Sequence, residues 1–265
     1  MLLKDQVAVI HGAGGVIGGA VARALAREGA TLHLAGRTEA KLSAVADDIR
    51  AAGGKAHIAR LDALDVEATA QHAAAVAEQA GGIDIALNAV GIAHVQGQPL
   101  GELSLEDYAL PVETYLRTNF ITAKAVAPHM TRRGGGVILM LATPASRMAG
   151  PGYLGHAVAC AGVEGLTRHL AGELGGFGIR VLCIRSHAIP QAVVLGSHSA
   201  EVFEQVARRE GTSVGEMLES AASATLLKRL PRLEQVAATA VFLASPHAGA
   251  MTGTVANLTC GMVLD

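Results

Sequence analysis

Short apolar runs alternate with longer segments of helical spacing along the whole chain. The apolar runs are Val7–Ile10, Thr31–Ala35, Ala56–Leu61, Ile83–Leu87, Val137–Leu141 and Ile179–Ile184. The helical segments between them are rich in Ala and lie at Val16–Glu28, Glu39–Ala52, Asp65–Ala80 and Tyr153–Leu174. Repetition of a short buried strand and a helix is typical of βαβ units. The pattern therefore predicts one α/β domain over residues 1–265, with a parallel sheet, right-handed crossovers and helices on both faces.

Capping residues and glycines mark several of the predicted helix ends. Three polar residues stand where helices should begin: Thr38, Ser104 with Asp107 three positions on, and Ser213 with Glu216 three positions on. Glycines stand where helices should stop, at Gly29, Gly53 and Gly81. Only residues 187–230 break the rhythm, before a last helix and strand. Because ligands of open α/β sheets bind beyond the carboxyl ends of the strands, we expect this segment to form a substrate loop or lid.

Composition favours a globular protein of the cytoplasm. Hydrophobic residues make up 51% of the 265 residues and charged residues 17%, with a formal net charge of −2 and no run of Lys or Arg. Nucleic acid and anionic membranes are therefore not expected as partners. Neither a signal peptide nor a membrane span is expected, because the chain passes directly from Met1 into its first strand and contains no long apolar stretch. Three widely spaced cysteines fit a reducing compartment.

A glycine-rich turn follows the first predicted strand and opens the first predicted helix. It reads His11-Gly-Ala-Gly-Gly-Val-Ile-Gly18. Gly12 allows the tight turn, Gly15 allows close approach of a pyrophosphate, and Gly18 allows the helix to pack on the strand. Free N–H groups at the helix N-terminus attract phosphate. The turn predicts a Rossmann-type, doubly wound sheet that binds a dinucleotide, the alternative being an ordinary strand-to-helix turn.

The end of the second strand bears on the choice of cofactor. It reads Ala35-Gly36-Arg37, with Arg37 where an acidic residue would bind a ribose 2′-hydroxyl. A guanidinium suits a 2′-phosphate. We therefore expect NADP(H) rather than NAD, the alternative being that Arg37 is a solvated loop charge.

With these features the chain resembles the short-chain dehydrogenase/reductase family over nearly its whole length. Asp62, followed by Ala63, resembles the Asp that contacts adenine. Asn88-Ala89-Val-Gly91 resembles the Asn-Asn-Ala-Gly motif, and Asn119 matches the helix Asn of the family. Residues 178–181, 242–245 and 251–253 resemble its sixth strand and its C-terminal segment. The glycine turn departs from the usual spacing, because Val16, before Ile17, replaces the middle glycine of the compact members.

The resemblance implies carbonyl or alcohol chemistry, yet the residues expected to perform it differ. The family uses Ser, Tyr and Lys, where Lys lowers the pKa of the proton-exchanging Tyr. Here Thr143 takes the Ser position, His156 the Tyr position and Cys160 the Lys position. After the sixth strand, Ser186-His187 and then Gln191 replace the Pro-Gly and Thr that shape the nicotinamide site.

Two candidate proton donors remain open. His156, four residues before Cys160 on one helix face, could act as an imidazolium once the neighbouring Lys is lost, with Thr143 orienting the substrate; alternatively it only fills space. Tyr153 lies seven residues before Cys160, a spacing that resembles that of enoyl-reducing relatives. A reactive Cys160 thiol is disfavoured, because no cation near it is evident.

Histidines at the predicted strand ends raise a further possibility. They are His11, His94, His156 and His187. A metal site is disfavoured, because no short ligand spacing supports it.

Three hypotheses about function follow. The first is an NADP(H)-dependent oxidoreductase acting on a small carbonyl or hydroxy compound. The second is a catalytically silent relative that serves as a sensor or partner subunit, and the third is a non-redox lyase or cyclase. The resemblance also implies a homotetramer or homodimer in which helices of two subunits pack as a four-helix bundle.

Overall fold

A computed structural model describes residues 1–265 as one α/β domain with a seven-stranded parallel sheet. The strands are β1 Val7–His11, β2 Thr31–Gly36, β3 Lys55–Arg60, β4 Ile85–Asn88, β5 Gly136–Ala142, β6 Ile179–Ser186 and β7 Thr254–Leu258. Their spatial order is β3-β2-β1-β4-β5-β6-β7. The order reverses direction between β1 and β4, which opens a crevice at the carboxyl ends of these strands. The predicted Rossmann-type doubly wound sheet is confirmed.

Nine α-helices complete the domain. They are α1 Val16–Arg27, α2 Glu39–Ala51, α3 Val66–Ala80, α4 Leu105–Arg133, α5 Leu154–Leu174, α6 Pro190–Val194, α7 His198–Glu210, α8 Val214–Ala224 and α9 Leu233–Ala244. None of them combines the length and hydropathy that crossing a bilayer requires. The segment 187–230, irregular in sequence, contains three of these helices, α6 to α8.

Alternating strand residues supply two hydrophobic cores, one on each face of the sheet. Ile10, Leu34 and Leu139 point to the face covered by α1, α2 and α9. Val9 and Met140 point to the face covered by α3, α4 and α5. Because successive side chains of a strand face opposite ways, a strand buried on both sides must be apolar throughout, as these are.

Several predicted caps take the form that the sequence indicates. The Ser104 side chain accepts a hydrogen bond from the backbone of Asp107, and Ser213 and Glu216 form a reciprocal capping box. Gly81 ends α3 in the left-handed conformation, with φ of 78°. Thr38 precedes α2 as predicted, but its side chain makes no capping hydrogen bond.

Candidate active site

A cleft of about 2260 Å³ runs along the carboxyl edge of the sheet, from the glycine turn to the helices α6 to α8. The candidate catalytic and cofactor-binding residues predicted from the sequence all line it except Gly18, and Gln191 after β6 does not line it. Gly18 lies beneath the turn, where a Cβ would stand 2.4 Å from the Gly12 carbonyl oxygen. One continuous cavity thus joins the candidate phosphate site to the candidate reactive groups.

The glycine turn has the backbone geometry of an anion site. Gly12 adopts φ of +76°, and a Cβ there would stand 2.5 Å from the Ala89 carbonyl oxygen. Gly15 is the N-cap of α1, which has no capping side chain and no acidic residue in its first turn. The first N–H groups of α1, beginning with Val16 and Ile17, therefore have no side-chain acceptor and suit a bound phosphate.

Two cations lie beside this turn. Arg37 and Lys41 are exposed at the cleft and form no ion pair. A Cβ on Gly14 would stand 2.9 Å from the Lys41 Cβ, so Lys41 lies directly against the turn. On the opposite rim, Asp62 accepts a hydrogen bond from the Leu64 backbone, with Ala63 buried beside it.

A buried polar network supports the loop after β4. The Asn88 side chain accepts from the Val90 backbone at 3.0 Å and donates to Thr122 Oγ1 at 3.1 Å. Thr122 also bonds to His11 Nδ1, at 2.8 Å. These contacts fix residues 88–91, including Ala89 and Gly91, against α4. Helix α7 approaches the same loop, because a Cβ on Gly91 would stand 2.1 Å from His198 Cε1.

Thr143, His156 and Cys160 meet at the reactive end of the cleft. Thr143 Oγ1 lies 3.0 Å from His156 Nε2 and 3.4 Å from Cys160 Sγ, and Sγ lies 3.6 Å from Nε2. Thr143 ends β5, while α5 presents the other two side chains on one face. The helix register inferred from the sequence therefore brings all three groups to one point.

The protonation state of His156 corrects the expectation of an imidazolium acid. Burial, with added repulsion from His94 and His198, lowers the pKa of His156 to about 3. Loss of a neighbouring Lys does remove one repulsive charge, but the apolar surroundings outweigh that gain. His156 is therefore a neutral imidazole at neutral pH, and its Nδ1 is buried without a hydrogen-bond partner.

Cys160 is a thiol and not a thiolate. Burial raises its pKa, and Glu164 on the next turn of α5 adds to the increase. No Lys or Arg contacts its sulfur. The group at this position therefore supplies no positive charge to its neighbours.

His94, one of the histidines expected at the strand ends, packs against His156 together with Tyr115, which the sequence analysis did not single out. The rings of His94 and His156 stack with centroids 4.9 Å apart, and Tyr115 meets both edge-on. His94 Nε2 accepts from Gln96 at 2.8 Å, so Nδ1 carries the proton and donates to the Ile92 carbonyl at 2.9 Å. Burial raises the pKa of Tyr115, which stays protonated. The one available signal was the four-residue spacing of Tyr115 and Asn119, which places both on one face of α4.

Asn119 presents an unused acceptor. Its amide nitrogen donates to the Tyr115 carbonyl at 2.8 Å, while Oδ1 is buried without a partner. Because a buried polar atom is normally satisfied, this oxygen marks a position for a ligand or a water molecule.

Tyr153 lies apart from this group. It caps the start of α5, is 38% exposed and makes no hydrogen bond to Thr143 or His156. Burial raises the pKa of its phenol, and the nearby carboxylate of Glu210 adds to the increase.

Of the residues after β6, Gln191 differs from the prediction, whereas Ser186 and His187 line the cleft. Gln191 does not line the cleft, because its side chain accepts from the Leu233 backbone at the start of α9. His187 does line it, with Nδ1 accepting from the Ala188 backbone at 2.7 Å. Of the four histidines at strand ends, His94 and His156 stack on each other, and no group of three or more His, Cys, Asp or Glu residues is arranged to hold a metal ion.

A buried ion pair behind the site was also missed from the sequence. Arg185 at the end of β6 is 1% exposed and contacts both carboxylate oxygens of Glu164, at 2.7 and 2.9 Å. Although burial opposes ionisation, hydrogen bonds from Arg185 and Ser146 hold the pKa of Glu164 below its usual range. Arg185 also contacts the side chain of Asp265 at 2.6 Å. The network ties α5, β6 and the loop after β5 together.

The fold defines the class of this protein, a Rossmann-type α/β protein, and comparison with known proteins identifies its family. A family model described as enoyl-(acyl carrier protein) reductase matches residues 12–263. The short-chain reductase protein NovJ of Streptomyces niveus is 30% identical over 97% of this chain and 94% of its own length. The chain therefore belongs to the short-chain dehydrogenase/reductase family of oxidoreductases, whose members use nicotinamide cofactors.

Solved structures agree with this assignment. A short-chain type dehydrogenase/reductase from Mycobacterium marinum superposes with a TM-score of 0.82 at 28% identity, covering 99% of this chain and 97% of that one. A 7α-hydroxysteroid dehydrogenase complexed with NADH and a 7-oxo bile acid gives a TM-score of 0.82 at 25% identity, with 99% and 96% covered.

Proposed function

We propose that this protein is an NADP(H)-dependent oxidoreductase that interconverts a small hydroxy compound and its carbonyl product. The observation that carries the proposal is the pair formed by Thr143 Oγ1 and His156 Nε2, 3.0 Å apart, in the cleft that begins at the glycine turn. A hydroxyl and a neutral imidazole in contact form an acid–base pair of the kind that moves a proton to or from an oxygen.

The residues of the cleft fit a nicotinamide dinucleotide phosphate. The open N-terminus of α1 would hold the pyrophosphate, and the Cβ-free backbone of Gly12 leaves room for it. Arg37 and Lys41 would hold a 2′-phosphate, since neither has a carboxylate partner to displace. Asp62, Ala63 and residues 88–91 line the path between adenine and the reactive end.

At neutral pH His156 is in its neutral form, which is the form that can accept a proton during oxidation of an alcohol. The cleft would hold NADP⁺, which would supply a hydride acceptor for the carbon that bears the hydroxyl. The Thr143 hydroxyl orients the substrate oxygen, and His156 Nε2 accepts the proton of the substrate O–H as the carbonyl double bond forms. The resulting imidazolium releases its proton readily to water, because the surroundings hold the pKa of His156 to about 3. Reduction needs the imidazolium and should therefore run faster in acid.

Three variants test these roles. We expect Thr143→Val and His156→Phe each to lower kcat/KM for alcohol oxidation by about tenfold to a thousandfold, because each removes a hydrogen-bonding group from the reacting oxygen. NADPH affinity, measured by its fluorescence, should change little in either. Tyr153→Phe serves as the control and should retain activity within about threefold. Loss of activity in Tyr153→Phe with retention in His156→Phe would assign the proton transfer to Tyr153 instead.

The buried Cys160 thiol supports a second candidate, a nucleotide-binding partner subunit without turnover. No cation replaces the missing Lys near the reacting oxygen, and His156 is a weak base. The double substitution His156→Tyr with Cys160→Lys separates the candidates. Reductase activity gained from an inert parent supports the silent subunit, whereas loss of an existing activity excludes it.

We also propose a cytoplasmic homodimer or homotetramer. Phe120, Leu154 and Val158 expose apolar side chains on α4 and α5, at 50%, 43% and 38%. Burial of such surfaces between two subunits would form the four-helix bundle that the family resemblance implies. All three cysteines are free thiols, which fits a reducing compartment.

A further inference from the structure

The ring of His156 lacks the hydrogen bond that normally orients a histidine base, which is made by the second ring nitrogen. Its Nε2 lies 3.0 Å from Thr143 Oγ1, while Nδ1 is buried without a partner. The contact at Nε2 cannot hold the ring during the reaction, because Nε2 then binds the substrate hydroxyl. Since the torsion that turns an imidazole ring has broad minima, another contact must fix the direction of Nε2.

Packing against His94 supplies this constraint. The rings of His94 and His156 stack with centroids 4.9 Å apart and planes inclined by 20°. Tyr115 of α4 adds an edge contact to His156, with centroids 6.3 Å apart and planes at 75°. Because the interior is closely packed, the His156 ring cannot turn out of its plane without displacing one of these neighbours.

His94 is itself held at both ring nitrogens. Its Nδ1 donates to the Ile92 carbonyl at 2.9 Å, and its Nε2 accepts from Gln96 at 2.8 Å. His94 and Gln96 are only 5% and 8% exposed, so water competes little for these bonds. The backbone N–H of Gly97 donates to the Gly152 carbonyl at 2.7 Å, which joins this loop to the segment before α5. The loop therefore presents a fixed ring to the first turn of α5.

The titratable groups that contact His156 or shift its pKa are all neutral at neutral pH. They are His94 in the loop after β4, Tyr115 on α4, Cys160 on α5 and His198 on α7. Burial lowers the pKa of His94 and lowers that of His198 to about 4. Burial raises the pKa of Tyr115 and of Cys160, which both keep their protons. His94 thus covers the His156 ring without placing a charge beside it.

We infer that His94 is a positioning residue whose anchored ring stacks on His156 and directs its Nε2 toward the reacting oxygen. The inference rests on the proposed function for the reaction, whereas the constraint on the ring exists without turnover. The same stack keeps water from one face of His156, and burial is the main cause of its low pKa. Loss of the stack should therefore misdirect Nε2 and also raise the pKa of His156.

The test compares two variants of the full-length protein, His94→Ala and His94→Phe. Both lose the hydrogen bonds to Ile92 and Gln96, but only Phe keeps a flat ring, so their difference reports the stack. His169→Ala, a change of an exposed histidine on α5, is the matched control. Titration of His156 is followed by NMR without any substrate. We expect His94→Ala to raise the pKa of His156 by at least about 1, and His94→Phe and His169→Ala to leave it nearly unchanged.

Kinetics with NADP⁺ and a panel of primary and secondary alcohols give the second measurement. His94→Ala should lower kcat by about tenfold to a hundredfold with a smaller change in KM, because a misdirected base slows the reaction more than it weakens binding. His94→Phe should retain kcat within about threefold. Where His94→Ala does not fold, His94→Leu takes its place in the kinetic comparison, since Leu fills the space but has no flat face.

Each result decides the inference. An unchanged pKa of His156 or an unchanged kcat in His94→Ala overturns it. A His94→Phe variant as impaired as His94→Ala or His94→Leu also overturns it, since the hydrogen bonds of His94 would then matter instead of its stacked ring. The expected titrations without turnover of any alcohol support the constraint on His156 and contradict the proposed function.

Discussion

Several histidines of this protein have lowered pKa values, and His11, His33 and His156 are three of them. Burial is the main cause at each, and it lowers the pKa to about 3 for His11, about 4 for His33 and about 3 for His156. Each ring also has one buried nitrogen without a partner: Nε2 of His11, Nε2 of His33 and Nδ1 of His156. Protonation in the folded state would therefore leave a buried charge that no group neutralises.

We predict that stability falls as the pH drops below about 6.5, the ordinary pKa of histidine. Between that value and the folded pKa values of about 3 to 4, the unfolded chain binds more protons than the folded one. The stabilising contribution of these groups is complete above the unfolded pKa and is lost as the pH falls toward the folded pKa. Urea unfolding at several pH values, read as the free energy of unfolding, measures the slope.

The variant His33→Leu tests this prediction, and His169→Leu is its matched control. Removing one buried titrating ring should flatten the dependence on pH, whereas His169→Leu, an exposed change on α5, should leave the slope unaltered. A parent protein whose free energy of unfolding stays constant from neutral pH to about pH 4 would show that these rings are solvated.

Among the elements, α5 determines the geometry of the site and depends on contacts from outside itself. It carries His156 and Cys160 on the face toward Thr143, and one turn later Glu164 binds Arg185 of β6. Both partners of this ion pair are nearly inaccessible to water, with 1% and 4% of their side chains exposed. A buried pair of this kind fixes the helix against the sheet more than it adds net stability.

We therefore expect that removing one residue of the pair lowers the free energy of unfolding more than replacing both. Arg185→Met and Glu164→Leu should each lower the free energy of unfolding by about 3–5 kcal/mol. The first leaves the Glu164 carboxylate without its cation, and the second leaves Arg185 with only the part-exposed carboxylate of Asp265. The double variant, with both charges removed, should be more stable than either single variant. Chemical denaturation of the three proteins checks this order. A double variant whose loss equals the sum of the single losses would indicate that the two residues act independently.

The same elements show what the sequence could and could not predict. Apolar runs predicted the strands of the sheet, and glycines predicted the phosphate-binding turn. Both features depend on residues that are close in sequence, through strand burial and positive φ. The residues that follow Cys160 set the register of the predicted helix, and this register correctly predicted that His156 lies beside Thr143. Arg185 and Glu164 lie 21 positions apart, and no local sequence pattern predicts their contact. The protonation state of His156 was missed for the same reason, since its burial and the nearby rings of His94 and His198 depend on other elements.

At the scale of the whole molecule, the two ends of the cleft are lined by residues of different charge. The end at the glycine turn is basic and keeps the features of a phosphate site, while the end at α7 and α8 is lined by carboxylates and by His198. The His198 ring of α7 contacts Gly91 in the loop after β4. Thr143 and His156 line the same cleft.

A crystal structure of the protein with bound NADP⁺ tests the central proposal most directly. We expect the pyrophosphate at the N-terminus of α1, the 2′-phosphate beside Arg37, and an ordered nicotinamide ring whose reactive carbon faces the space next to Thr143 Oγ1 and His156 Nε2. An ordered ring that faces Tyr153, with His156 remote from it, would contradict the assignment of proton transfer to His156. A cleft that takes up no nucleotide at saturating concentration would contradict the proposed function itself.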